Sequence, residues 1–222
     1  AELWQRLPAT LMLAGASLAL AISISIPLGT IAAVRRGSPL DGLSRLLALV
    51  GAVVPSYVLA LLLILLFAVT LHWLPAIGYG APKHLVLPAI ALAAGAGAPL
   101  MRLTRASLLE VLQQDYVRTA RAKGLSEVTV IGVHALKNAL LPVVTVLGIR
   151  LGHLLGGAVI VETIFGWPGV GKYAVDAIFL RDYPVIQGFV LYMAVIFLLV
   201  NLAVDLAYRR LDPRLHFGRQ AA

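Results

Sequence analysis

Residues 43–71 read LSRLLALVGAVVPSYVLALLLILLFAVTL, and beyond Arg45 the run carries no charged side chain. An α-helix rises about 1.5 Å per residue, so about 20 apolar residues cross a hydrocarbon core of about 30 Å. This run is longer than that, which predicts a spanning helix with room to tilt. Four further blocks repeat the pattern at residues 7–34, 85–106, 136–161 and 185–208. Their repeated length and their internal scarcity of charge argue against one large soluble core. The expected fold is all-α, a polytopic membrane helix bundle forming one domain over residues 1–222.

Composition points the same way. The 222 residues are 60% hydrophobic and 13% charged, whereas soluble domains carry about 25% charged residues. The apolar content also excludes a disordered chain. There is no cysteine, which removes disulfides and cysteine metal sites, and no metal is expected. Block 7–34 mixes Ser23, Ser25 and Pro27 with apolar residues, as suits a helix packed on other helices and kinked at the proline. The polar stub before it is not expected to be a signal peptide, because the apolar block behind is too long. An odd number of blocks and a start without Met predict a further helix ahead of Ala1, absent from this chain.

The formal net charge of +8 is unevenly placed. Arg35, Arg36, Arg45, Arg102, Arg105, Arg118, Arg121, Lys123, Lys137, Arg209, Arg210, Arg214 and Arg219 fall on one side of the alternating blocks. The other side receives Arg6, Lys83, Lys172 and Arg181. The positive-inside rule makes the first side cytoplasmic, C-terminus included. Residues 72–84 and 162–184 become outer loops. Trp73, Tyr79, Trp167, Tyr173 and Tyr183 cluster there, where amphipathic rings favour the interface.

The cytoplasmic segment 107–135 carries the charge that the blocks avoid. Val117 and Ala120, with basic residues between, predict a short amphipathic helix. Gly124 stops it as a residue of positive φ would, and Ser126 offers a cap for a second short helix. A basic helix beside a membrane serves to touch anionic lipid or to receive a soluble partner, and composition leaves both open.

The residues from Asp115 to Ser126 (DYVRTARAKGLS), followed by His134 to Pro142 (HALKNALLP), closely resemble the coupling loop of ABC importer permeases. The likeness is to the dipeptide/oligopeptide/nickel branch, first permease subunit type. It continues through Glu162-Thr163-Ile164-Phe165, Trp167-Pro168-Gly169-Val170-Gly171, Arg181-Asp182-Tyr183-Pro184 and Leu211-Asp212-Pro213-Arg214. The resemblance implies a helix bundle of the type I ABC importer permease kind in a bacterial cytoplasmic membrane. It also implies the work of a pore-forming subunit that couples ATP hydrolysis on partner subunits to peptide import. Glutathione or a nickel chelate are alternative cargoes, and a non-transporting membrane scaffold is an alternative role. The implied partners are a second homologous permease, two cytoplasmic ATPases, an extracytoplasmic binding protein and membrane lipid, with no nucleic acid. No cofactor is expected on this chain; ATP and Mg would sit on the ATPases. The chain has no Gly-rich segment leading to Gly-Lys-Ser/Thr, so it is not expected to hydrolyse ATP.

The family's loop has a Glu-Ala-Ala…Gly pattern. Here Thr119 and Ala120 take the alanine places, Gly124 the glycine, and Arg118 stands where the glutamate would be. The coupling residues implied are Val117, Arg118, Thr119, Ala120, Arg121, Lys123, Gly124, Leu125 and Ser126, with Val117 and Ala120 facing the ATPase cleft. Polar groups inside spans are costly and mark paths or pairings. Arg150 and His153 share a helical face, preceded by Asn138, and form the candidate translocation path; Asp205 is expected nearer the inner surface beside Arg209. Trp167, Lys172, Arg181 and Asp182 are candidate contacts for the binding protein. A secondary transporter would show repeated halves with paired broken helices, and none is visible.

Overall fold

The computed structural model describes residues 2–211, and the side chains of residues 151, 153, 155, 157 and 204–211 lie outside that description. The described chain is helical, with no strand. Ten helices follow in order: α1 (Glu2–Val34), α2 (Pro39–Val53), α3 (Ser56–Leu63), α4 (Pro82–Val111), α5 (Asp115–Ala122), α6 (Glu127–Thr129), α7 (Leu136–Ala139), α8 (Leu141–Ile164), α9 (Val170–Leu180) and α10 (Tyr183–Leu211). Three of them are long and apolar enough to cross a membrane, and two bent pairs raise that to five. Arg219 and the ending from Asp212 to Arg214 lie outside the described residues, as do the side chains of Asp205, Arg209, Arg210 and Leu211.

α1 and α4 are the central pair. Lipid is as apolar as leucine, so helices in a membrane associate through close packing and hydrogen bonds rather than hydrophobic burial. This pair uses small residues to bring the backbones together. A Cβ on Gly29 would lie 2.7 Å from the Met101 carbonyl oxygen. Further along, Ser25 Oγ donates to the Gly97 carbonyl at 2.8 Å, and a Cβ on Gly97 would lie 2.6 Å from that same Oγ. α1 begins at Glu2, ahead of the apolar block, with that carboxylate in the first turn, where the helix dipole favours it. It runs on through both Pro8 and Pro27.

The run 43–71 is not one straight helix. α2 and the segment Ser56–Thr70 meet at 106°. Pro55 has no N–H to continue the ladder, and it pushes Val54 into extended backbone at φ −74, ψ 118. α3 then widens into a π turn over Ile64–Thr70. A second bend, of 49°, separates Glu127–Ala139 from the start of α8, where Pro142 occupies the first turn.

The core has two parts. The larger holds Leu13, Leu87, Leu100, Val143, Val161, Phe165 and Trp167. The smaller gathers Ala33, Leu108, Val111, Val117, Ala120, Val130, Ala135 and Ala139 beneath α5.

Candidate functional site

Gln114 to Ser126 folds as one compact turn. Lys123 N–H donates to Thr119, Gly124 N–H to Arg121 and Leu125 N–H to Ala120. The last two bonds form a Schellman closure, which needs a left-handed residue at Gly124, found at φ +79. Ser126 Oγ then accepts from Thr129 N–H at 3.3 Å and starts α6. Arg121 reaches across the glycine to Glu127 through Nε–Oε1 at 2.7 Å and Nη2–Oε2 at 3.3 Å. That forked bond holds the Glu127 carboxyl below its ordinary range and raises Arg121.

One of the two faces of α5 differs from expectation. Val117 and Ala120 were expected to face a partner's cleft, but they are buried in the smaller core. α1, α4 and the π turn over Val130–Ala135 cover that face, and burying Val117 there contributes about 1.5–3 kcal/mol. The outward face is Asp115, Arg118, Thr119, Ala122 and Lys123, all exposed, with Leu125 and Ser126 exposed beyond the turn. Asn138 also lies elsewhere than expected. Its Nδ2 donates to Tyr116 Oη at 2.8 Å and to the His134 carbonyl at 3.4 Å. It therefore fastens α7 to α5 and does not join Arg150.

One feature of this end was not read from the sequence. Asp41, 1% exposed, accepts Arg105 Nε at 2.7 Å, Arg105 Nη2 at 3.0 Å and Gly37 N–H at 3.0 Å. The clasp ties the start of α2 to α4, shortly before α4 leads into α5. Its signal was the Ser38-Pro39-Leu40-Asp41 start of a helix, in which Ser38 Oγ caps Asp41 N–H.

Arg150 faces an open cleft of about 240 Å³. α8 contributes Arg150 and Leu154, α4 contributes Leu92, Gly95 and Ala96, and the α2–α3 bend contributes Val54 and Ser56. The side chain of His153 lies outside the described residues.

The segment 162–184 is bolted to α1. The buried Glu162 carboxylate accepts from Thr10 Oγ1 at 2.6 Å and from Lys172 N–H at 3.0 Å, and Gly171 N–H also donates to it. Thr10 Oγ1 in turn accepts from Val170 N–H at 2.9 Å. The first N–H groups of α9 would otherwise be orphaned; Glu162 and Thr10 satisfy them. Trp167 Nε1 donates to the Ala9 carbonyl at 2.8 Å, and its ring packs edge-on to Tyr79. At 1% exposure Trp167 is core, not the partner contact expected of it. Lys172 is half-buried and pairs with Asp176 at 2.6 Å. Arg181, exposed at φ 55, ends α9, and Asp182 Oδ1 accepts from Val185 N–H at the start of α10. Among the described residues no group of His, Asp and Glu is placed to hold a metal.

Residues 25–217 match the family described as binding-protein-dependent transport system inner membrane component. The chain belongs to that family. It is 44% identical to the dipeptide transport system permease protein DppB of Alkalihalophilus pseudofirmus, across 97% of this chain and 73% of the relative. It is equally identical, at 44%, to the glutathione transport system permease protein GsiC of Escherichia coli K12, across 97% of this chain and 71% of the relative. An inward-facing structure of the MetNI methionine ABC transporter superposes with a TM-score of 0.76 at 19% identity, covering 95% of this chain and 96% of that one. That likeness shows the type I importer permease fold.

Proposed function

We propose that the chain is the pore-forming permease subunit of an ATP-driven peptide importer in a bacterial cytoplasmic membrane. A second homologous permease would complete the pore, two ATPases would hold ATP and Mg, and an extracytoplasmic binding protein would deliver cargo. The observation that carries this reading is the build of α5. Its apolar face is fixed in the chain's own core, and its exposed charged face projects from the basic side. A push on Arg118, Thr119 or Lys123 is thereby delivered to α4 and α1 rather than lost in a floppy loop. Arg121, Gly124, Leu125 and Ser126 keep the turn rigid. Docking of this face would bias the bundle between two packings.

The test is ATP-dependent uptake of a labelled dipeptide into vesicles holding the whole complex. Arg118→Glu and Lys123→Glu leave the buried face of α5 intact. They should weaken co-purification of the ATPases and lower uptake together. Removal of residues 120–124 should leave ATP hydrolysis that no longer drives uptake. Unchanged uptake and unchanged stimulated hydrolysis in all three would defeat the coupling role. Glutathione is the second cargo reading, supported by the relative of that name at the same identity; competition between glutathione and the dipeptide separates them.

A further inference from the structure

Arg150 stands in α8, in the chain's fourth apolar block. A guanidinium at such depth costs about 2.5–3.5 kcal/mol on insertion scales and is ordinarily paired. Among the described residues no carboxylate pairs with it, and their ion pairs join Asp41, Asp115, Glu127 and Asp176 to other cations. It faces the cleft instead. Three features of that cleft agree. The wall opposite is apolar, from Leu92 and Ala96. Gly95 stands mid-helix where an added Cβ would meet nothing within 4 Å, so its lack of a side chain serves open space rather than close packing. The break at Pro55 turns the start of α3, which has no side-chain cap, toward the same cleft through Val54 and Ser56, and a helix start carries partial positive charge. Among the described residues all the charge facing the cleft has one sign.

We infer that Arg150 is a specificity-determining residue that receives the carboxylate of the cargo as it crosses. This deepens the peptide-import reading and rests on it. The planar guanidinium fork matches a carboxylate with two parallel hydrogen bonds, which a neutral or amidated end cannot accept as well. At about 240 Å³ the cleft is smaller than the about 300–1,000 Å³ of whole small-ligand sites, so it takes one end of a peptide and not its length.

The experiment uses the complete complex in vesicles, with dialanine against dialanine amide, or glutathione against its amide where the binding protein prefers it. Affinity of the isolated binding protein for each probe is measured separately and divided out. The wild-type complex should favour the acid by about tenfold to a hundredfold, the worth of a charge-assisted hydrogen bond. Arg150→Gln, in complexes that assemble, should bring the ratio near one. Arg150→Lys keeps charge without the fork, so its preference should shrink several-fold and stay above one; it also serves where Arg150→Gln does not assemble. Gly95→Leu, which keeps Arg150 and fills the cleft, should stop uptake of both probes. A wild-type ratio near one, an Arg150→Gln complex that keeps the wild-type ratio, or full uptake by Gly95→Leu overturns the inference. An assembled wild-type complex that carries no peptide at all is the separate outcome that sinks the importer reading itself.

Discussion

Replacing Glu162 by alanine should release α9 from α1, and the size of the effect can be worked from the structure. The substitution strands three donors, the buried Thr10 Oγ1 and Gly171 N–H and the half-buried Lys172 N–H. An unsatisfied buried donor costs about 1–3 kcal/mol. Removing a carboxylate that was itself costly to bury returns part of that sum. A net loss of about 2–4 kcal/mol follows, which raises the open population of the clip about 30- to 900-fold. Trypsin added to the side of the membrane that bears α9 reads this directly. Lys172 lies half-buried in α9, whereas Arg181 is exposed at its end. Cleavage after Lys172 should rise at least about 30-fold when opening is fast relative to cutting, and cleavage after Arg181 should change little. Gly169→Ala should act alike, because a Cβ there would collide with the Glu162 carboxylate. Thr163→Ala, on the exposed face of the same turn, is the neutral control. Lys172 cleavage within twofold of wild type in Glu162→Ala would refute the reasoning that the carboxylate, and not general packing, holds α9.

At the α1–α4 contact, Gly97→Ala places a methyl 2.6 Å from Ser25 Oγ and should cost about 1–3 kcal/mol by overpacking; thermal unfolding of the complex reads it, and adding Ser25→Ala should recover part of the loss. Gly124→Ala forces a side chain into left-handed backbone at a cost of about 1–2 kcal/mol, so uptake per ATP hydrolysed should fall several-fold. The Arg121–Glu127 fork gives a pH dependence. Glu127 is held below its ordinary range, so the pair's stabilisation is fully present above about pH 4.3 and fades as pH falls through the lowered value. Hydrogen exchange at the Leu125 amide, corrected for intrinsic rate, should stay flat from neutral pH down to about 5 and speed up below about 4. Glu127→Gln should remove that dependence.

The long helices α1, α4 and α10 were legible as long apolar runs, whereas the run 43–71 proved to be a bent pair. The punctuation of the turn after α5 was legible too, since Gly124 and Ser126 act through their own backbone within a few residues. What escaped the sequence was partnership. The pattern of Val117 and Ala120 fixes a face on α5 but not its partner, and the chain's own core took it. Trp167 looked like an interface ring in an outer loop, yet its indole bonds to Ala9 across 158 positions. Glu162 and Thr10, 152 positions apart, gave no local sign of meeting. Asn138 looked like part of the path because it shares a block with Arg150, but the bend at the start of α8 sets it with Tyr116 instead. Pro55 within a long apolar run was the visible trace of the 106° break.

The clip that holds α9 also divides its labour. Anchorage uses main-chain amides of residues 170–172 and a few side chains, those of Thr10, Glu162 and Trp167. Further along the helix Ala174 and Ala177 are buried against the bundle, whereas Ile178, Phe179 and Leu180 at the far end are exposed. Mutation can therefore rewrite what the helix displays without disturbing how it is mounted. Such a mounting is evolvable: the outer surface can drift to suit a changed environment while the bundle beneath keeps its stability and its geometry.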